Sequence, residues 1–526
     1  MLRRPVHRGA MNRGRTLFPE MMAPTGAKDV QSRIAELEAQ LGAHVAQIAE
    51  LEAQLGLREA LIRALTAQVI GLQERVAELE ARLQLNSTNS SKPPSSDPPG
   101  ATRTAKPRTG RKPGGQPGHP MSTRELMPIE QVDHVVELIP ERCEGCQAPL
   151  SGADPTPERH QVTELPPIKP VVTEYQRHSL RCERCGAKTR AALPPGVPEG
   201  EFGERLCALV CLLAGRYRLS KRLVQDLLLN VTGVDISLGA VSNLEQEASE
   251  GLAAPVAEAM KFIPHQDFVN MDETGWYEGR VAGRAGRAWL WVAATVFVVG
   301  FVISSSRGSD VAKQMLGNDF LGFLNTDRWK AYNFHDVFLR QLCWSHLTRD
   351  FQGFIDRGGE GGRIGQALME QRNLMFKWWH RVKKGTLSRK AFVRRMRKVE
   401  RRVGALLREA VRRAEPKTAG MAREILKLES AMWTFVQVPG VEPTNNFAER
   451  TIRHAVMWRK TSFGTQGPAG SRFVERILTA VTTLRLQMRN VLEYLTDVIR
   501  AYRTGGSPPS LLPASALAGT VHGPSP

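Results

Sequence analysis

A heptad repeat between Gln31 and Leu85 is the feature that most restricts what this chain can fold into. Aliphatic side chains recur at the first position of every heptad and leucine at most fourth positions, and no proline interrupts the seven repeats. This pattern is typical of a parallel two-stranded coiled coil. One long helix folded back on its own chain is the alternative, but the repeat exceeds ordinary globular helices in length. We therefore predict a leucine-zipper coiled coil over residues 29–86 that joins two or more copies of the chain.

The charge balance indicates a polyanionic partner. The chain has 526 residues, with 72 lysines and arginines against 53 aspartates and glutamates, a net charge of +19. A chain of this length exceeds what one core can organise, so several domains are expected. Nucleic acid is the usual partner of so basic a protein.

The sequence predicts no membrane segment. The first 20 residues contain five arginines but lack the apolar stretch of a secretory signal. The longest apolar run, residues 288–303, is shorter than the roughly 20 residues that span a bilayer. Its valines and aromatic residues favour two buried strands instead.

Three segments have too few apolar residues to form a core. Residues 1–28 are predicted to be a basic flexible arm, and residues 504–526 a disordered tail rich in Gly, Ser, Pro and Ala. Residues 87–122 are predicted to be a disordered basic linker, which either follows a DNA backbone or serves as a solvated tether.

Two Cys-x-x-Cys pairs, Cys143 with Cys146 and Cys182 with Cys185, are separated by 35 residues. Four thiolates in two such turns form a closed tetrahedral site for structural Zn²⁺. We predict a zinc-ribbon-like domain over residues 123–200, with strands at 162–165 and 171–180. Two unrelated cysteine pairs, or a redox site, are the alternatives. The pairs also indicate a reducing compartment rather than disulfides.

Residues 201–262 have the pattern of a helix-turn-helix domain. One amphipathic helix covers 219–230, a turn follows at Thr232-Gly233, and Ser237 can cap a second helix. A plain pair of packed helices is the alternative, and Cys207 and Cys211 are predicted to be core residues. Side chains that could contact phosphates or base edges are Lys221, Arg222, Ser242, Asn243 and Gln246.

From residue 263 to 503 the pattern changes to strands interrupted by a helix. This order fits a ribonuclease-H-like α/β core, with a basic helical insertion at about 354–438. Residues 381–402 hold eleven lysines or arginines, which could lie along phosphates or form a solvated helix face. The chain as a whole is therefore predicted to be a multidomain α+β protein. The predicted strands are 268–272, 288–295, 296–304, 322–327 and 338–343, with a helix at 309–317.

Three carboxylates stand out against this framework: Asp272, Asp327 and Glu449. The two aspartates are predicted to lie at strand ends, and Ile452 and Val456 suggest that the helix of Glu449 packs on the sheet. Three such carboxylates can hold two Mg²⁺ or Mn²⁺ ions that clamp a phosphodiester. Loop-capping aspartates and a surface ion pair of Glu449 are the alternatives. Groups that could stabilise charge on a phosphate are His346, Arg349, Arg450 and Arg453.

With these motifs the chain resembles transposases of the insertion-sequence-66 family, which are DDE-type enzymes. The resemblance implies DNA cleavage and strand transfer at inverted repeats in a bacterial cytoplasm, on nucleoid DNA, with Asp272, Asp327 and Glu449 catalytic. It also implies help from small accessory proteins of the same element. The segments that carry it, besides the zipper and the cysteine pairs, are 89–97, Arg111–His119, Asp272–Gly275, Thr326–Trp329, Cys343–His346 and Asn445–Arg450.

One departure from the family concerns the residues after His346. Many relatives carry two adjacent arginines there, whereas this chain has Leu347-Thr348-Arg349-Asp350. Two other functions remain open from the sequence: a structure-specific metal-dependent nuclease that cleaves without joining, and a non-catalytic zinc-containing DNA-binding regulator.

Overall fold

A computed structural model describes residues 27–84, 124–198, 200–281 and 284–514. The predicted arm lies almost wholly outside these ranges, and the predicted linker lies entirely outside them. The chain divides into two compact units, residues 1–85 and 86–526. The first unit contains one uninterrupted helix, α1 (Ala27–Gln84).

Helix α1 confirms the helix that the heptad repeat predicts. Its aliphatic first- and fourth-position side chains from Ile34 to Leu79 are 43% to 65% exposed. Within the described part of this unit, the apolar stripe is therefore exposed over its whole length. Its pairing with a second copy stays a prediction.

The cysteine-containing region, residues 124–198, has little regular structure. A short antiparallel pair, β1 (Ser179–Arg181) and β2 (Lys188–Arg190), is formed there. The strand predicted at 162–165 is wrong, and the one at 171–180 is formed only at its end. Val162 and Val171 are 82% and 95% exposed, so neither strand gains a packed face, and the prolines between them cannot donate to a ladder.

Four helices follow, and the predicted helix pair is confirmed. Gly233, at φ 73°, ends the first helix of the pair, and the Ser237 hydroxyl accepts the Ala240 N–H to cap the second. Cys207 and Cys211 are buried as predicted. The helices are α2 (Glu204–Gly215), α3 (Lys221–Thr232), α4 (Leu238–Gly251) and α5 (Ala253–Phe262).

These helices share one hydrophobic core with the following sheet. The predicted boundary at residue 262 therefore does not separate two independent cores. The reason is that α2 and α4 pack against the last helix of the chain, a long-range contact that local patterns do not show.

A five-stranded mixed sheet forms the centre of the second unit, in the order β5-β4-β3-β6-β7. β3, β4 and β5 are antiparallel neighbours, whereas β6 runs parallel to β3 and β7 parallel to β6. The predicted succession along the chain, three strands, a helix and two strands, is confirmed, and helix α6 (Ser309–Leu316) links β5 to β6. The strands are β3 (Phe268–Val281), β4 (Arg284–Ala294), β5 (Val299–Ser304), β6 (Phe323–Thr326) and β7 (Arg340–Leu342).

One correction concerns Asp272, which lies inside β3 and not at the end of a strand. The antiparallel ladder with β4 pairs Asp272 with Val292 and continues to Val281. The residues after Asp272 are polar and include glycine, but the neighbouring strand supplies their hydrogen bonds.

Between β7 and the last three helices lies the predicted helical insertion, which is confirmed. It has its own core, in which Phe351, Phe392 and Phe435 are fully buried. Its exposed side is basic, and Arg395 lies 4.2 Å from the ring centre of Trp378. The helices, including the one that leads into the insertion, are α7 (Trp344–Arg357), α8 (Gly359–Lys383), α9 (Arg389–Arg413), α10 (Pro416–Leu426) and α11 (Thr434–Gln437).

Three helices close the chain: α12 (Asn446–Ser462), α13 (Pro468–Leu486) and α14 (Val491–Thr504). Helices α12 and α13 pack on the sheet, whereas α14 packs on α2 and α4. Helix α13 covers the free edge of β5 with three side-chain acceptors. The acceptors are four residues apart on α13, which is about 6.0 Å along a helix, and the donors are two residues apart on β5, which is about 6.6 Å along a strand. Because these spacings nearly match, each acceptor lies opposite a donor. The backbone N–H groups of Val299, Phe301 and Ile303 donate to Thr483, Thr479 and Glu475 at 3.0, 3.0 and 2.5 Å.

The predicted disorder of the tail is wrong for its first part. Leu511 is fully buried, the Tyr494 hydroxyl donates to the Pro509 carbonyl at 2.7 Å, and Ser510 donates to Glu258 at 2.6 Å. Burial of Leu511, packing of Leu512 on the same core and these hydrogen bonds together anchor the stretch. Residues 515–526 lie outside the described ranges.

Within the described ranges, no helix combines the length and apolar character that crossing a bilayer requires.

Candidate active site

Asp272 and Asp327 come together because β3 and β6 are parallel neighbours. The two strands pair in register from Phe268 with Phe323 to Asn270 with Asn325. Continuing that register by two residues brings Asp272 level with Asp327, which follows the last residue of β6. The Asp327 carboxylate is close enough to raise the pKa of Asp272.

The loop that precedes α12 places Glu449 near the two strands that carry Asp272 and Asp327. The Asn445 side chain, fully buried, donates to the Met271 carbonyl at 2.6 Å. From β6, the Asn325 amide donates to the carbonyls of Glu442 and Thr444 at 3.0 and 3.1 Å. The loop is therefore fixed to both aspartate-bearing strands, and Glu449 stands in the first turn of α12.

Negative charge is concentrated around Asp272, although in the described part of the chain the oxygens of Asp272, Asp327 and Glu449 do not all lie within 4.8 Å of one another. Burial, followed by repulsion from Glu273, Asp327 and Glu449, raises the pKa of Asp272 well above its usual value. Burial also raises the pKa of Asp327, although the Trp329 N–H, which donates to its Oδ1 at 2.8 Å, opposes this. A low-dielectric set of carboxylate oxygens of this kind suits hard divalent cations such as Mg²⁺ or Mn²⁺.

A buried network beneath the aspartates escaped the sequence analysis. The Glu273 side chain, 1% exposed, accepts from Arg307 Nη2 at 2.8 Å and from the Tyr332 hydroxyl at 2.6 Å. The Arg307 guanidinium lies between the rings of Trp289 and Trp329, 4.3 and 4.0 Å from their centres. The network holds the segment after β6, which contains Asp327. The only sequence signal was two adjacent acids on one strand, which must point to opposite faces of the sheet.

His346 is close to the carboxylates but is not a cation. Its Nδ1 lies 3.4 Å from Glu449 Oε1. Burial, together with the charges of Arg349 and Arg328, lowers the pKa of His346 to about 3. Both causes disfavour the protonated ring, so any contact of His346 with a phosphate would be made as a neutral hydrogen-bond donor.

The predicted arginines lie around the site at different depths. Arg349, half-buried on α7, lines a cleft beside Asp327, whereas Arg450 and Arg453 are exposed on α12. The cleft has a volume of about 560 Å³. Its cationic lining residues are Arg328, Lys330, Arg349, Arg357 and Lys427, and its acids are Asp327, Asp350 and Glu424.

A family model described as "Transposase IS66 family" matches residues 200–472, just over half of the chain. The chain belongs to the IS66 transposase family. The matched range contains Asp272, Asp327 and Glu449, and membership makes this a DNA-processing enzyme. A search of curated proteins found no match.

Two further models match outside or beside that range. The zinc-finger binding domain of transposase IS66 matches residues 140–186 and so includes all four paired cysteines, which supports structural zinc. A family of unknown function, DUF6444, matches residues 57–125.

In the transposase chain each cysteine pair forms its own turn. Hydrogen bonds from the backbone of Cys146 and Gly145 lower the pKa of Cys143, and those from Cys185 and Arg184 lower the pKa of Cys182. Lowered thiol pKa values favour the thiolates that zinc binds. In the part of the chain that the structure describes, these sulfurs are not among the groups of three or more ligand atoms within 4.8 Å of one another.

Contacts within the helix pair engage three of its five predicted DNA-binding residues. Lys221 donates to Ser242 at 2.7 Å and pairs with Glu245 at 2.9 Å, and Gln246 donates to Glu250 at 2.7 Å. Helix α4 carries three glutamates and no basic residue, which disfavours close approach to phosphates. Arg222 and Asn243 are exposed.

Proposed function

We propose that this chain is a DDE transposase with a ribonuclease-H-like core. It cleaves DNA at the inverted-repeat ends of an insertion sequence and joins the 3′-hydroxyl ends to target DNA. The observation that carries the proposal is geometric: the parallel register of β3 and β6 brings Asp272 level with Asp327, and the bond from Asn445 to the Met271 carbonyl ties the start of α12, which bears Glu449, to β3. The sheet order, with three antiparallel strands followed by two parallel ones, supports the fold assignment.

Asp272, Asp327 and Glu449 would hold two Mg²⁺ or Mn²⁺ ions. When bound, such ions activate the attacking oxygen and stabilise the leaving 3′ oxygen of a phosphodiester. The protein keeps the carboxylates in position before DNA arrives: the Trp329 N–H orients Asp327, and Asn445 ties the start of α12 to β3. Preorganisation of this kind avoids paying the reorganisation cost during the reaction.

The basic cleft beside Asp327 would receive the DNA backbone. Lys330 and Lys427 line it together with three arginines, and the exposed basic face of α9 continues the positive surface on the insertion. Contacts to phosphates position a strand without reading its sequence. End recognition would then fall to other parts, with Arg222 and Asn243 as candidates on the helix pair.

Pairing through α1 would bring two element ends into one assembly. The exposed apolar stripe of α1 supports a homodimer or a higher oligomer. Small accessory proteins of the same element, and a bacterial cytoplasmic location on nucleoid DNA, complete the proposal.

The test is a Mg²⁺-dependent cleavage and joining assay on DNA carrying the inverted repeats that flank the gene. Asp272→Asn should abolish both reactions while DNA binding persists. Asp319→Asn, at an exposed acid outside the site, is the matched control and should retain both. Cleavage without joining would favour a nuclease, and specific binding with no cleavage, even with the element's other proteins added, would favour a regulator.

A further inference from the structure

Three side chains of different chemistry converge beside the catalytic carboxylates: Cys343, His346 and Glu449. Their ligand atoms, a sulfur, a ring nitrogen and a carboxylate oxygen, all lie within 4.8 Å of one another. Cys343 precedes α7 and is buried, whereas the His346 and Glu449 side chains are 23% and 29% exposed. The group is therefore reachable from solvent on one side only.

The separations match those of ligands around one tetrahedral zinc ion. Zinc bonds of about 2.3 Å to sulfur and 2.0–2.1 Å to nitrogen or oxygen give roughly 3.3 Å between nitrogen and oxygen, and roughly 3.6 Å between sulfur and oxygen. The observed distances are 3.4 Å from His346 Nδ1 to Glu449 Oε1 and 3.5 Å from Cys343 Sγ to the same oxygen. No movement of these atoms beyond a few tenths of an ångström is needed on these two sides.

His346 supplies a second, independent observation. Its Nδ1 is buried and has no hydrogen-bond partner, which is costly for a polar atom inside a protein. In the tautomer with its proton on Nε2, the ring offers the Nδ1 lone pair towards the centre of the group. Cys343 is held in place by the Asn445 N–H, which donates to its sulfur at 3.2 Å.

We propose that Cys343, His346 and Glu449 form a binding site for a transition-metal ion of the zinc class, separate from the cysteine pairs of the finger. Sulfur and imidazole ligands select zinc or cobalt over Mg²⁺. Binding displaces the thiol proton to solvent. Three protein ligands leave a fourth position open, as in zinc sites that admit water or another oxygen ligand.

Glu449 belongs both to this site and to the carboxylates that would hold Mg²⁺ under the proposed function. A zinc ion held by Cys343 and His346 withdraws Glu449 from the set that would hold Mg²⁺. Zinc therefore inhibits Mg²⁺-dependent cleavage in competition with Mg²⁺.

Cobalt is the probe for the site because its bond to a thiolate gives a charge-transfer absorption band. The full-length protein, with its finger loaded with zinc, is titrated with Co²⁺ in the wild-type form and as Cys343→Ala. We expect the band in the wild type and its loss in the variant, because loss of a direct ligand exceeds the roughly 10–100-fold weakening caused by loss of an outer partner. Cys211→Ala, at a buried cysteine of α2, is the matched control and should keep the band.

Two further measurements guard against a misfolded variant and a false assignment. Far-ultraviolet circular dichroism compares the folding of all three proteins, and His346→Gln should shift the cobalt spectrum and weaken binding while Cys343 is intact. A wild-type protein without a cobalt–sulfur band, or a band of equal size in Cys343→Ala, would overturn the proposal. In that case the thiol merely donates to Glu449.

The absorption experiment needs no DNA and no activity, so its outcome is independent of the proposed transposase reaction. An inactive protein with the cobalt band would overturn the transposition proposal alone. An active protein without the band would overturn the metal site alone.

Discussion

Replacement of Thr479 by valine tests whether the hydrogen bonds from β5 to α13 hold the sheet edge. Thr479 is fully buried, and its hydroxyl accepts the Phe301 N–H at 3.0 Å. Valine keeps the shape of the side chain but puts a methyl group against a buried N–H. An unsatisfied buried donor costs about 1–3 kcal/mol, and we expect about 2 kcal/mol because no water replaces the hydroxyl.

That loss has a measurable size in thermal unfolding. At the usual unfolding entropy per residue, about 2 kcal/mol lowers the unfolding midpoint of a folded region of about 300 residues, here taken as residues 200–514, by roughly 3 °C. Differential scanning calorimetry measures this shift, and hydrogen exchange should show faster exchange at the Phe301 amide. Thr479→Ser is the matched control: it keeps the acceptor and should retain slow exchange at Phe301.

The reasoning fails if Thr479→Val unfolds at the wild-type temperature while Thr479→Ser unfolds lower. Apolar packing of the methyl group would then account for the contact, and the hydroxyl would contribute nothing. An unchanged exchange rate at Phe301 in the valine variant would point the same way.

Two other predictions concern the site and the oligomer. Asn445→Ala removes the bond to Met271 and should lower the cleavage rate by about 100-fold, because Glu449 is then misplaced, while DNA affinity stays unchanged. The control is Asn446→Ala at the exposed neighbouring residue, and equal cleavage rates for the two variants would show that Asn445 does not position Glu449. A peptide covering 27–84 should sediment as a dimer or larger species. Leu51→Lys should make it monomeric, whereas Ala53→Lys, on the outer face of the heptad, should not; a monomeric parent peptide would refute pairing through α1.

The succession of strands and helices between residues 263 and 343 could be predicted from sequence because apolar runs and local caps indicate it, whereas the order of the strands within the sheet could not. The helix over 309–316 and the cap at Ser237 follow from neighbours in sequence. Burial of Glu273 could not be predicted, because it depends on Arg307 and Tyr332 arriving from elsewhere in the chain.

Some features of the candidate site could also be predicted from local sequence, whereas others depend on contacts between distant residues. The three acids stood out because each lies in a distinctive short motif, but their approach to one another depends on strand register and on the Asn445 loop. The closeness of Cys343 to Glu449, 106 residues apart, has no local signal. The strands predicted around Val162 failed for a related reason: β propensity cannot form a strand without a partner and a face to bury.

The insertion leaves and rejoins the sheet at almost one point. Its entry at Trp344 is bonded to its exit, since the Trp344 N–H donates to the Pro443 carbonyl at 2.9 Å. The insertion is also bonded along β7, because the Phe435 N–H donates to Gln341 Oε1 at 2.7 Å and the Thr434 hydroxyl donates to the Arg340 carbonyl. Glu449 follows this junction within a few residues, so a substitution that loosens the junction should disturb the position of Glu449 together with that of the insertion.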